Sequence, residues 1–148
     1  NILEPLRDQY DFVIVDTCPS LGSLTINALA AAHQAIVPVQ AHYLAMEDMA
    51  DTLEVIQTIR QGINPKLAVG GILLTMYQGR TNLCRGIQDE IQADYGNAFT
   101  VFSSPIDFSI RVAEHPIGAA SIFAYEPNNP AAKAYSAVAQ EVLSYGQK

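Results

Sequence analysis

A single carboxylate follows a short apolar run near the start of the sequence. Residues 12–15 are Phe-Val-Ile-Val, and they lead directly into Asp16 and a Cys-Pro-Ser-Leu-Gly turn. An apolar run of this length, bounded by turn residues, is typical of a strand buried on both faces of a parallel sheet. Open α/β sheets bind ligands at the carboxyl ends of their strands. Asp16 is therefore a candidate for holding the Mg²⁺ of a bound nucleotide, although a turn or helix-capping role would give the same pattern.

The elements that must position Asp16 follow from apolar periodicity. The predicted strands cover residues 12–16, 35–40, 67–76 and 99–103, and the predicted helices cover about 21–32, 45–62, 83–96 and a segment that begins at Pro130. Strands that alternate with helices favour a mostly parallel sheet with right-handed crossovers and helices on both faces. The predicted fold class is therefore α/β.

Local signals refine these elements. Asn129 before Pro130 predicts a helix N-cap followed by a proline at the first helical position. The Gly70-Gly71 pair predicts that a neighbour packs closely against the third strand. Three helices have apolar faces that we expect to be buried. These faces are Met46, Met49, Leu53, Ile56 and Ile59 in the first, Leu83, Ile87 and Ile91 in the second, and Ala134, Tyr135, Val138, Val142 and Leu143 in the last.

The length of 148 residues predicts one domain, so residues 1–148 are expected to form a single α/β domain. Apolar residues make up 49% of the chain, which is enough for a folded core. The net charge of −7 argues against a chain that coats nucleic acid or anionic membrane through its bulk charge, although Arg80, Arg85 and Arg111 allow a local basic patch. No apolar run approaches the ~20 residues of a membrane span. With no secretory leader in the sequence, we expect a cytoplasmic location.

Five sequence blocks, in order along nearly the whole chain, closely resemble the ParA-type partition ATPases of the ParA/MinD superfamily. Residues 16–29 are similar to the family's Asp-x-Pro-Pro-Ser-Leu-Gly followed by Leu-Thr-x-Asn-Ala-Leu. The other blocks are 37–40 with 43–47, 71–77 with 79–83, 110–116, and 125–127 with 132–135. The resemblance implies the C-terminal portion of a P-loop NTPase-like fold. In that fold Asp16 is the Walker-B carboxylate on the Mg²⁺ side, acting through a metal-bound water.

The same resemblance implies roles for further residues. Pro19 and Ser20 shape the switch turn that follows the Walker-B strand. Thr75 and Met76 match positions that line the adenine pocket, and Pro105 is a further nucleotide-binding candidate.

The resemblance also implies partners. The ATP-bound protein forms a sandwich dimer that binds DNA without sequence preference, and a ParB-like protein stimulates hydrolysis; no membrane partner is implied. Arg80 and Arg111 match basic positions expected to touch DNA phosphates, which demand little more than positive charge. A nucleoid-associated location within the cytoplasm would follow from DNA binding.

The family's phosphate-binding loop is absent from the sequence. None of the three lysines, Lys66, Lys133 and Lys148, lies in a Gly-rich loop. Backbone N–H groups and a lysine of that loop hold the phosphates. We therefore expect a parent protein that binds ATP and Mg²⁺ and hydrolyses ATP, and a 148-residue chain that alone is inactive and binds neither tightly. The incomplete sheet also predicts self-association or exchange of elements between copies.

Two departures from the family pattern affect these expectations. Cys18 stands where the family has a proline, which loosens the switch turn. Residues 106–109 are Ile-Asp-Phe-Ser where Ile-Pro-Arg-Asn is common, so one expected basic residue is missing. Residues 105–107 are similar to the Pro-x-Asp element of the MinD branch, but Arg-Val-Ala-Glu at 111–114 favours the partition branch.

Two other classes of function remain open at this point. A regulatory or adaptor domain could keep the fold and the partner surface without the phosphate loop. A response-regulator receiver would use Asp16 as a phosphoacceptor. Receivers also need a lysine after a later strand, and neither residues 75–76 nor residues 103–104 supply one.

Overall fold

The computed structural model describes residues 3–6, 8–18, 20, 22–114 and 121–145. After a 3-10 turn at Glu4–Leu6, the elements are α1 (Ser23–Ala31), β1 (Gln34–Gln40), α2 (Tyr43–Gly62), β2 (Ala68–Thr75), α3 (Asn82–Tyr95), α4 (Ile110–Glu114), α5 (Ile122–Tyr125) and α6 (Pro130–Tyr145). The predicted α/β class is confirmed, and β1, β2 and the four long helices lie within two residues of their predicted bounds.

The sheet is parallel and is centred on β2. β1 pairs with β2 from Gln34 opposite Ala68 to Gln40 opposite Thr75, with one register shift between Ala35 and Ile36. Residues 100–108 run beside the other edge of β2, where the Phe102 N–H donates to the Ile72 carbonyl at 3.0 Å. The Ile106 N–H donates to the Leu74 carbonyl at 2.9 Å on the same side. β2 therefore has a neighbour on both edges.

The predicted strand at 99–103 is shorter than expected. It makes one isolated bridge, between Ile72 and Val101, and a second bridge joins Tyr77 to Asp107 further along. Between these contacts lies Pro105, which has no N–H to donate to a ladder. The chain therefore pairs with β2 near Ile72 and again between Leu74 and Tyr77, just past the end of β2, instead of forming a continuous strand.

The predicted strand at 12–16 is wrong. Residues 12–18 form no regular element, and the exposed fractions are 53% for Phe12, 45% for Val13, 92% for Ile14 and 46% for Val15. A strand forms only where a neighbour can accept and donate its backbone hydrogen bonds. Within the described residues the sheet consists of β1 and β2, so the 12–16 segment has no strand partner there.

Helices cover the two faces of the sheet unequally. One core joins side chains of α1, α2 and α3 to both strands, and Met49, Ile72, Ile87 and Ile91 are almost fully enclosed in it. On the other face, Val138 of α6 packs with Leu73, Phe102 and Ile106. Three residues predicted to be buried are instead largely exposed: Leu83 (48%), Tyr135 (38%) and Leu143 (48%). Their helices present narrower apolar faces than the sequence indicated.

Side-chain caps fix the ends of two helices. The Ala131 N–H donates to Asn129 Oδ1 at 2.9 Å, which confirms the predicted N-cap of α6. At the end of α1, Asn64 Nδ2 donates to the carbonyls of Leu29 (3.0 Å) and Ala32 (2.7 Å). The loop after α2 therefore holds α1 in place by satisfying carbonyls that the helix leaves unpaired.

The predicted close approach at the glycine pair occurs at Gly71. Its φ is +156°, and a Cβ at this position would lie 2.6 Å from Cε2 of the Phe102 ring. At Gly70 a Cβ would meet Oε1 of Gln34 at 3.2 Å, and that flexible side chain can move away.

We therefore predict that Gly71→Ala lowers the free energy of unfolding by about 1–3 kcal/mol, because it overpacks the Phe102 side of the sheet and places a side chain at a positive φ. Gly70→Ala is the matched control and should cost clearly less. Urea denaturation of the two variants provides the measurement. Equal losses for both glycines would show that contact with the ring is not the cause.

Candidate nucleotide cleft

The carboxyl end of β2 carries two of the residues that the sequence singled out. Thr75 is half-buried, and its hydroxyl donates to the Val39 carbonyl of β1 at 3.3 Å. Met76 follows with a φ of +50°, the only positive φ outside glycine in the described residues, and its side chain is 52% exposed. A left-handed conformation is uncommon for a residue of this kind. Such residues cluster at ligand-binding sites, where the surrounding structure compensates for the strain.

Directly beyond Met76 the chain forms a cleft of about 590 Å³. Three segments line it: residues 77–81 after β2, residues 107–109, and residues 129–131 at the start of α6. Backbone hydrogen bonds hold the first two segments together, because the Tyr77 N–H donates to the Ile106 carbonyl at 3.0 Å and the Phe108 N–H donates to the Tyr77 carbonyl at 2.9 Å. The cleft thus opens at the edge of the sheet where α/β proteins bind ligands.

Polar contacts fix the loop at 77–81. The Tyr77 hydroxyl donates to Oε1 of Gln88 on α3 at 2.6 Å. The Thr81 hydroxyl donates to the Gln78 carbonyl at 2.9 Å and accepts from the Cys84 N–H at 3.3 Å, so it caps α3. Partial burial, followed by the nearby Cys84, raises the pKa of the Tyr77 phenol above its ordinary value of 10.0, while Arg85 opposes this rise. The tyrosine is therefore neutral at physiological pH.

Asp16 is exposed and does not belong to the lining of this cleft. The turn after Asp16 is braced from α1, because the Thr25 hydroxyl lies 2.7 Å from the Ser20 carbonyl and 3.4 Å from the Cys18 carbonyl. Ser20 therefore occupies a turn with a fixed contact to the helix that follows. Pro19 lies outside the described residues.

The two arginines proposed from the sequence occupy different surroundings. Arg80 is exposed and lies in the lining of the cleft. Arg111 forms ion pairs with Glu114 at 3.1 Å and with Glu126 at 3.3 Å, and its side chain remains 54% exposed. The hydrogen bond that Arg111 donates to Glu114, followed by the charge of Glu126, raises the pKa of Arg111 above its already high ordinary value.

Thr75, Met76 and Pro105, which the resemblance predicted to bind nucleotide, do not line the cleft. Met76 directly precedes Tyr77, and Thr75 and Pro105 lie two residues before Tyr77 and Asp107, which do line it. Both had a signal in the sequence: Tyr77 ends a family-like block, and Asp107 is the acidic residue of the 105–107 element. Asn129 was predicted only as a helix cap, and the structure adds its place in the cleft wall.

Two kinds of feature are absent from the part of the chain that the structure describes. No group of three or more His, Cys, Asp or Glu side chains there could hold a metal ion. No helix among those residues is both long enough and apolar enough to cross a membrane.

Comparison with known proteins supports the resemblance seen in the sequence. A family model described as an AAA domain matches residues 1–69. The chain is 43% identical over 146 residues to the chromosome-partitioning ATPase Soj of Thermus thermophilus, with 98% of this chain and 58% of the relative covered. It is 35% identical over 144 residues to the sporulation initiation inhibitor protein Soj of Bacillus subtilis, covering 97% and 56%. The chain thus spans little more than half the length of these curated relatives.

Solved structures with a similar fold include cobyrinic acid a,c-diamide synthase from Mycobacterium smegmatis. The TM-score is 0.65 at 37% sequence identity, with 73% of this chain and 43% of that chain covered. Structures of the same protein contain ADP with magnesium and an ATP analogue with magnesium.

The surroundings of Tyr77 predict a pH dependence. Because the folded-state pKa is raised, the stability contributed by Tyr77 is present below about pH 10, the ordinary tyrosine pKa, and is lost as the pH rises through the folded-state pKa. The absorbance of the wild type and of Tyr77→Phe is compared as the pH is raised. The difference should show one phenol that ionises above the ordinary tyrosine pKa.

Gln88→Ala is the matched variant, since it removes the acceptor of the phenol's hydrogen bond. It should move this ionisation toward the ordinary value. A Tyr77 phenol that ionises at or below its ordinary pKa would contradict the environment described.

Proposed function

This chain is related over nearly its whole length to the ParA-type partition ATPases, and we propose that it is part of an ATP-hydrolysing enzyme that partitions DNA. The observation that carries the proposal is the 43% identity over 98% of the chain to a chromosome-partitioning ATPase. Because the chain spans only 58% of that relative, the activity belongs to a longer protein that contains this sequence.

In this proposal the cleft beyond Met76 takes the base of a bound nucleotide. It lies at the carboxyl edge of the sheet, and one of its walls includes Asp107, whose carboxylate can accept a hydrogen bond from an exocyclic amino group. Tyr77 and Phe108 add aromatic surface to the same cleft. Thr75, Met76 and Pro105 would position these segments from one or two residues before them along the chain.

Asp16 would act at the phosphate end of the same nucleotide. Mg²⁺ in nucleotide sites is usually held by one or two carboxylates, with phosphate oxygens and water completing its shell. A single exposed carboxylate before a braced turn suits that arrangement. When bound, the ion would neutralise charge on the transferred phosphoryl group. Pro19 and Ser20 would shape the switch turn beside it.

The proposal extends to partners. Arg80 and Arg111 are exposed cations that can contact DNA phosphates without reading sequence. Dimerisation with a second copy, stimulation by a ParB-like protein and a cytoplasmic, nucleoid-associated location remain predictions from the resemblance. The alternative is an adaptor domain of the same fold without ATPase activity.

A chimaeric protein tests the proposal. The part of the Thermus thermophilus Soj that this chain does not cover is fused to residues 1–148, and Mg²⁺-dependent release of phosphate from ATP is measured. We expect hydrolysis by the chimaera and none by the 148-residue chain alone. Asp16→Asn should lower the rate at least ~100-fold, because loss of metal charge stabilisation removes several kcal/mol at about tenfold per 1.4 kcal/mol.

Asp11→Asn is the matched control, since it removes an exposed carboxylate from the same segment and should leave the rate unchanged. A folded chimaera without ATPase activity would favour the adaptor alternative. An Asp16→Asn variant as active as the wild type would remove Asp16 from the metal site.

A further inference from the structure

A chain of polar contacts connects the surface around Arg111 to the wall of the cleft. Arg111 Nε lies 3.3 Å from Oε1 of Glu126, in the turn after α5. The other oxygen of Glu126, Oε2, accepts a hydrogen bond from Asn129 Nδ2 at 2.8 Å. Oδ1 of Asn129 accepts from the Ala131 N–H at 2.9 Å. Three consecutive contacts thus lead from an exposed cation to the first turn of α6.

The last two residues of this chain of contacts, Asn129 and Ala131, line the cleft. Asn129 has two side-chain functions at once: its amide oxygen caps α6, and its amide nitrogen is held by Glu126. An asparagine amide that donates and accepts in this way has a fixed orientation. The position of Glu126 therefore affects how the start of α6 sits against residues 77–81 and 107–109.

The guanidinium of Arg111 contacts two carboxylates. Nη1 contacts Oε2 of Glu114, which lies within α4, and Nε contacts Glu126. Only the second contact leads to the cleft. Both pairs are partly exposed, with side-chain exposures of 47% for Glu114 and 38% for Glu126, so an external anion can compete for the arginine.

We propose that Arg111 is a positioning residue that holds the wall of the cleft through Glu126 and Asn129, and that a DNA phosphate that binds Arg111 releases this hold. The inference rests on the proposed function, which places a nucleotide base in the cleft and DNA at Arg111. It gives Arg111 a second role beside phosphate contact, because occupancy of the DNA surface then changes the nucleotide site.

The first experiment reads the contacts directly. The ¹H–¹⁵N NMR signals of the Asn129 side-chain amide and the Ala131 backbone amide are compared in the 148-residue chain and its variants. Arg111→Gln and Glu126→Gln should shift both signals. Glu114→Gln is the matched control, because it breaks only the pair inside α4, and it should leave both signals in place. Arg111→Lys keeps the positive charge, so both signals should lie closer to their wild-type positions than in Arg111→Gln.

Salt provides an independent check. At about 1 M salt the Debye length falls to about 3 Å, so the wild-type signals should move toward those of Arg111→Gln. Unchanged Asn129 and Ala131 signals in Arg111→Gln would overturn the proposal, because the wall would then be held without Arg111.

The second experiment uses the chimaera and a short duplex DNA of arbitrary sequence. Affinity for a fluorescent ADP analogue with Mg²⁺ should fall about two- to fivefold in Glu126→Gln, the scale expected for an exposed ion pair, and should stay unchanged in Glu114→Gln. DNA should lower the affinity of the wild type by a similar factor, and it should have no further effect on Arg111→Gln.

The outcomes separate the two proposals. If DNA binds but leaves the Asn129 signal and the ADP affinity unchanged, the release by DNA is overturned. If the chimaera binds neither DNA nor nucleotide, the proposed function fails, whereas the response of Asn129 to Arg111→Gln still decides whether the arginine holds the wall.

Discussion

The enclosure of β2 is the constraint on which the rest of the structure depends. Ile72 and Leu74 are exposed by 0% and 1%, and β2 is flanked by β1 on one edge and by residues 100–108 on the other. A strand enclosed on both faces must pair its backbone groups along both edges. This arrangement brings the end of β2 and the turn at Asp107 side by side, and the cleft forms between them. Gly71 permits it, because the Phe102 ring packs where a side chain would otherwise stand.

Elements whose signals are local could be predicted from the sequence. α2 has an apolar face at Met46, Met49, Leu53, Ile56 and Ile59. Met46 is half-buried, and the other four are buried as the periodicity indicated. The N-cap at Asn129 was equally readable, because capping depends on a few neighbouring residues. The strand prediction at 12–16 was wrong because a strand depends on residues that are distant in the sequence. The apolar residues of this segment favour a strand, but a strand also needs a neighbour, and the composition of the segment cannot show whether one is present.

The same distinction between local and tertiary signals applies to the residues around the cleft. The blocks at 71–77 and 105–107 predicted a site at the carboxyl end of β2. In the structure Tyr77 and Asp107 line a cleft there, whereas the Thr75 hydroxyl is occupied by a contact to Val39. The direction in which a side chain points after a strand depends on backbone conformation, here the positive φ of Met76. The contacts among Arg111, Glu126 and Asn129 depend on how α4, α5 and α6 meet, so no spacing in the sequence indicates them.

We propose that the cleft beyond Met76 takes the base of a nucleotide. Amide NMR of the 148-residue chain is the direct test. Adenosine diphosphate with Mg²⁺ is added at millimolar concentration, so that weak binding is detected. We expect saturable shifts of the amide signals of the cleft residues Tyr77, Thr81, Asp107 and Ala131. The amide signal of Arg60, in the last turn of α2, should not shift. Shifts confined to other surfaces, or none at any concentration, would contradict the proposal.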